Sequence, residues 1–197
     1  MTPEQLPFTL NGSTLIVGPS GVGKTHMTAR AVMSYVAHHG PTGITILDFG
    51  PEILHDGQLI GRRIDRFTDI PDGVWYGTLD ANAPRAQSRD PTEARRLAME
   101  NAEGARALID AAPADPNAVF VNDVTIATHV SENPLDKLIE YCSSAACVVM
   151  NAYEGTALGV DDPISKQEHS ALERLIAWAD TVVRIGEDGT PTIEQQR

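Results

Sequence analysis

The sequence is poor in lysine, aromatics and cysteine. Only three of its 15 basic residues are lysines, Lys24, Lys137 and Lys166. Aromatic side chains make up 5% of the 197 positions, so the core has to be built mainly from Ala, Val, Leu and Ile. Cysteine occurs twice, as Cys142 and Cys147 in CSSAAC, with no histidine at ligand spacing, which excludes a thiolate zinc site. Two buried, reduced thiols fit a cytoplasmic protein. No apolar run approaches the roughly 20 residues of a membrane span, which predicts no membrane insertion. The first ten residues, MTPEQLPFTL, carry neither a charged n-region nor an apolar h-region, so no secretory signal is expected. Positive charge is also in deficit, with 27 acids against 15 bases and a net charge of −12. Such a surface repels nucleic acid and anionic membrane. Salt adaptation and a high-GC genome account equally for an acidic surface that uses arginine in place of lysine.

What is present is an alternation of short apolar runs with helical periodicity. TLIV (14–17), ITIL (44–47), AVFV (118–121), CVVM (147–150) and TVVRI (181–185) read as buried strands. Helical spacing follows over 24–38, with Gly40-Pro41 as a stop. Asp90-Pro91-Thr92-Glu93 offers a cap, a first-turn proline and an acid three residues on, predicting a helix to about Ala112. Asn133-Pro134 opens a helix to about Ser144, and the capping box Ser165 to Glu168 opens another to Ala179. Asn11-Gly12 between FTL and STLIV predicts an N-terminal hairpin. VWYGTL (74–79) reads as a short strand, and PTIEQ as an antiparallel partner to the fifth run. Residues 49–90, rich in Gly, Pro, Asp and Arg, read as a loop or lid inserted into one domain spanning 1–197. The expected fold is α/β, with a mostly parallel sheet covered by helices on both faces. Ligands in such folds bind beyond the carboxyl ends of the strands.

One of those ends holds GPSGVGKTH. Gly18, Gly23, Lys24 and Thr25 match G-x-x-x-x-G-K-[ST], with a strand before and a helix after. Gly18, Pro19, Ser20, Gly21, Val22 and Gly23 offer backbone N–H groups to an anion, and the helix N-terminus faces the same place. Lys24 is positioned to reach β- and γ-phosphates and Thr25 to bind Mg²⁺, with His26 beside the nucleotide. The stretch resembles the Walker A motif of the P-loop NTPase superfamily. The resemblance covers most of the chain through its strand-helix order and implies a three-layer fold, ATP and Mg²⁺.

Within that resemblance, Asp123 at the end of AVFVND looks like a Walker B aspartate sharing the ion with Thr25. A loop-capping role is the competing reading. Many ATPases of the superfamily follow that aspartate with a glutamate that polarises water, and here the next residue is Val124. Asp48 and Glu52 in DFGPE are the substitutes for the missing base, unless both are turn residues. Asn151 ends the fourth run, where the superfamily often senses the γ-phosphate. VVMNAYE departs from the guanine-reading N-K-x-D pattern at Ala152 and Glu154, which favours ATP over GTP. Arg62, Arg63, Arg66 and Arg85 are either arginine fingers or solvated loop charges.

The strand-end features are similar to those of recombinase-like and packaging-type ATPases. They imply an ATP hydrolase driving a switch or motor, with a homo-oligomer or protein partner, and with nucleic acid only for a motor. A small-molecule or nucleotide kinase, with 49–90 as its lid and Asp48 as base, is the second reading. A corrinoid adenosyltransferase, which the chain's last third resembles, is the third.

Overall fold

The structure is a computed structural model that describes residues 5–55, 58–156 and 161–196. It opens with β1 (Gly12–Gly18) and α1 (Lys24–His39), followed by β2 (Ile44–Asp48). β3 (Ile53–His55) and β4 (Gln58–Ile60) form a separate antiparallel pair, and β5 (Trp75–Thr78) returns to the main sheet. A four-residue α2 (Pro84–Gln87) precedes the long α3 (Pro91–Ala111), β6 (Ala118–Asn122) and α4 (Asn133–Cys142). β7 (Cys147–Tyr153), α5 (Pro163–Trp178), β8 (Thr181–Ile185) and β9 (Pro191–Gln196) complete the chain.

The central sheet has seven strands in the order β5-β2-β6-β7-β1-β8-β9. All neighbours are parallel except β8 and β9, which run antiparallel as the sequence predicts. Side chains alternate across it. Leu15 and Val17 of β1 face a core completed by Ala105 and Ile109 of α3, Leu135 and Leu138 of α4, and Leu172 and Leu175 of α5. Ile16 faces the opposite layer, where Met27, Ala31, Val32 and Tyr35 of α1 pack on Ile46, Phe120 and Val149. Helices therefore cover both faces, and the domain is the expected three-layer α/β fold. Both layers rest on aliphatic side chains, each contributing about 1.5–3 kcal/mol when fully buried.

The N-terminal hairpin is not formed. Gly12 begins β1, and among the described residues no strand precedes it. The reason is topological: β7 occupies one edge of β1 and β8 the other, so no edge remains for a hairpin arm. Phe8, from the expected arm, is instead buried against the α1 layer. The stretch 49–90 is also less of an insertion than its composition implies. β5 within it pairs with β2 as the edge strand of the main sheet, which leaves the part with β3 and β4 before it, and the part with α2 after it, off the sheet. Helix α5 starts earlier than the capping box. Asp162 caps it, accepting from the N–H groups of Ile164 and Ser165. At α3 the predicted cap holds: Asp90 accepts from Thr92 and Glu93 N–H. Cys142 and Cys147 are free and buried, and burial pushes both thiols up to about 12.

Candidate functional site

β1 delivers the chain into residues 18–23 at the carboxyl edge of the sheet, and α1 starts at Lys24. The loop works sterically only with glycine. Gly21 and Gly23 have φ of +82° and +100°, and an added Cβ at either would meet nothing within 4 Å. These positions are open towards the cavity while their backbone takes a left-handed path that L side chains resist. At Gly18 the constraint is contact, because a Cβ would lie 2.5 Å from the Ile185 carbonyl oxygen.

A cavity of about 440 Å³ lies over this loop. Ser20, Lys24, Thr25, His26, Arg62 and Asp123 line it, with Leu59 and Gly61 of the β3–β4 segment on the far side. Lys24 is buried at 7% exposure, and its Nζ donates to the carbonyl oxygens of Gly18 at 2.9 Å and Pro19 at 2.6 Å. Burial lowers its pKa, while the charges of Asp123 and Glu168 work the other way. His26 packs on Phe67, with ring centroids 5.5 Å apart.

Behind the cavity lies a buried polar network that fixes the register of β6. The Thr25 hydroxyl donates to Asn122 Oδ1 at 3.0 Å. Asn151 Nδ2 lies 2.9 Å from the same Asn122 oxygen and 2.9 Å from the Thr28 hydroxyl. Asn151 Oδ1 accepts the Asp123 N–H at 3.0 Å. Asn122 thus occupies the place beside the loop threonine that the sequence pattern assigns to an aspartate. Asp123 lies one residue further on, with φ of +52°, and lines the cavity. Its carboxyl is pushed up to about 6, first by desolvation and then by Asp48 and Glu168, against the opposing pull of Lys24.

Asp48 and Glu52 are placed elsewhere. Asp48 is fully buried and surrounded by donors. Its Oδ1 accepts from Gly50 N–H and Asn122 Nδ2, and its Oδ2 from Ile64 N–H and the Tyr76 hydroxyl. Desolvation raises its pKa and these four bonds oppose the rise. With both oxygens engaged, Asp48 is built to hold Asn122 and the 62–64 backbone in place. Asp48→Ala strands the Ile64 and Tyr76 donors and takes one of the two acceptors of Asn122 Nδ2, and we expect a loss of about 3 kcal/mol or more. Urea unfolding measures it, and a loss below about 1 kcal/mol would contradict this scaffold role. Glu52 pairs with Arg66 Nε at 2.5 Å, and that hydrogen bond is the main reason its pKa is lowered. It does not line the cavity.

The four loop arginines separate in the same way. Arg63 donates to the Leu79 carbonyl, Arg66 to Glu52, and Arg85 to Glu168. Arg62 alone among them lines the cavity. The motif pattern passes over Asn122 because it asks for an acid at that place. The signal present was the pair Asn122-Asp123, two polar residues closing an apolar strand. Among the described residues no cluster of three metal-ligating side chains occurs; Thr25 and Asp123, which line the cavity, are the groups available to an ion whose remaining ligands would be phosphate and water.

No family model matches the chain. It is similar to the flagellar biosynthesis protein FlhF of Pseudomonas aeruginosa, at 24% identity over 167 residues covering 80% of this chain. The chain spans only 38% of that relative's length. In structure it is similar to the flagellar accessory protein FlaH of Methanocaldococcus jannaschii. That likeness has a TM-score of 0.56 at 9% identity and covers 100% of this chain and 86% of the other. The loop, the sheet order and these likenesses place the chain in the P-loop NTPase superfamily.

Proposed function

We propose that the chain binds ATP with Mg²⁺ on residues 18–25 and hydrolyses it, using the cycle as a conformational switch. The loop N–H groups and Lys24 hold the β- and γ-phosphates. Thr25 offers its hydroxyl to Mg²⁺, and Asn122 orients that hydroxyl. Asp123 takes the proton of the attacking water as the water oxygen bonds to the γ-phosphorus and the bond to the bridging oxygen breaks. A base with a pKa near 6 is largely ionised at neutral pH and still basic enough to accept a proton. Arg62 faces the charge that develops on the γ-phosphoryl oxygens. ATP rather than GTP rests on the sequence at 151–154, and Asn151 adds that its side chain is spent inside the network.

The observation that carries this reading is the contact between Thr25 and Asn122. On this reading the expected pair of residues shifts by one position. The acid that seemed missing at Val124 is Asp123, and Val124 is a fully buried core residue. The chain then holds its own base and its own arginine, and hydrolysis does not require a neighbouring copy to complete the site. Phosphate release from Mg·ATP should therefore keep a constant turnover per subunit through a wide dilution series, without any acceptor. Turnover that collapses on dilution would show instead that a homo-oligomer completes the site. Phosphate that appears only on an added acceptor would establish the kinase reading instead.

A further inference from the structure

A second cavity, of about 690 Å³, opens between the N-termini of α3 and α5. That volume is in the range that holds small organic ligands. Its floor is a buried charge network. Glu168 accepts from the Thr125 hydroxyl at 2.9 Å and from Arg85 at 2.7 Å, and Arg85 also donates to the Ser165 hydroxyl at 3.1 Å. Beside it stands His129, 2% exposed, with Nε2 at 3.6 Å from Glu168. Neither ring nitrogen of His129 has a hydrogen-bond partner. Nε2 faces the Glu168 carboxylate across that gap, Nδ1 is left unmatched, and the ring forms part of the cavity wall.

The cavity is also where this acidic chain gathers positive charge. Arg89 and Arg95 line it and are exposed, and among the described residues neither guanidinium has an acceptor. Arg85 is already matched by Glu168. The two acids at the rim, Asp90 and Asp162, are spent on capping α3 and α5, where helix N-termini offset their charge. Pro91, Val130, Pro163 and Ile164 form an apolar part of the remaining wall, beside the polar Ser88, Thr92 and Gln167. The short 3₁₀ stretch Val124–Thr128 runs directly from Asp123 in the first cavity to His129 in this one.

We propose that this cavity binds a small organic anion, with a phosphate or carboxylate head held by Arg89 and Arg95 and an apolar body against Val130, Pro163 and Ile164. The proposal does not depend on the nucleotide reading, and its test is arranged to keep the two apart. The Lys24→Ala chain, whose phosphate loop is disabled, is titrated by amide NMR with phenyl phosphate, benzoate and inorganic phosphate. Saturable shifts centred on residues 88–95 and 129–130 are expected with phenyl phosphate or benzoate, and the one that responds identifies the head group. Inorganic phosphate should bind more weakly. On that background Arg89→Ala with Arg95→Ala should weaken binding at least about tenfold, the loss of one or more charge-assisted hydrogen bonds. Both arginines are exposed, so the melting temperature should not move. If the double variant melts early, Arg89→Gln and Arg95→Gln taken singly give the same reading. The proposal is overturned if neither organic probe saturates, if the arginine variants bind as before, or if inorganic phosphate binds as tightly as phenyl phosphate. ATP binding to the arginine variants with Lys24 intact reports on the phosphate loop alone.

Discussion

Lys24→Ala is expected to weaken Mg·ATP binding by about a hundredfold or more and to leave the fold intact. One ammonium meeting two phosphate groups supplies charge-assisted hydrogen bonds of about 1.5–3 kcal/mol each, and every 1.4 kcal/mol is a factor of ten. The fold survives for a separate reason. Lys24 is held with a lowered pKa because burial disfavours its charge, so the folded chain carries this ammonium at a cost wherever the group is protonated, below its folded pKa. Removing it relieves that cost and offsets the two bonds lost to Gly18 and Pro19. Calorimetric titration with Mg·ATP, alongside a thermal melt, separates the two effects. A folded variant with unchanged affinity would remove residues 18–25 from the nucleotide site.

Asp123→Asn should have the larger effect on chemistry. Loss of a positioned general base lowers turnover by about 10²–10⁴-fold, while binding persists because the loop and Lys24 are untouched. The pH dependence carries the sign. A base has to be ionised to act, so kcat/KM of the wild type should fall as pH drops through about 6, the value to which burial raises this carboxyl. The residual activity of the variant should lack that limb. The same substitution distinguishes the base from the metal-ligand role that the sequence motif implies. If Asp123 held the ion, the Mg²⁺ concentration needed for half-maximal binding would rise steeply. If it serves as base, that concentration stays put and only turnover falls.

Much of this architecture is written in local patterns. Strands apolar on both faces, the Asp90 cap and the loop glycines each depend on a few adjacent residues. The parts that escaped a sequence reading are set by contacts distant in the chain. The FTL arm cannot pair because β7 and β8, more than a hundred residues on, fill both edges of β1. β5 finds the far edge of the sheet through β2, and nothing in VWYGTL announces that partner. Glu168 fits a capping box by spacing, yet Arg85, Thr125 and His129 take it into the interior, and Asp162 caps α5 instead. The register of the site is the clearest case. Asn122 and Asp123 differ by one position, and only the approach of Thr25 from another strand-helix unit decides which of them stands beside the loop hydroxyl. Asp48 reads as a strand-end base or a turn residue, but Ile64 N–H and the Tyr76 hydroxyl, both distant in the chain, take up its Oδ2 in the interior.

The most direct test of the account is a single-turnover reaction, with the chain in excess over γ-labelled ATP and Mg²⁺ present and no partner added. The account predicts that inorganic phosphate forms from the bound ATP in the wild type at neutral pH, and that the Asp123→Asn chain binds the same ATP and leaves it whole. Bound ATP recovered intact from the wild type, or cleaved at the same rate by Asp123→Asn, would contradict it.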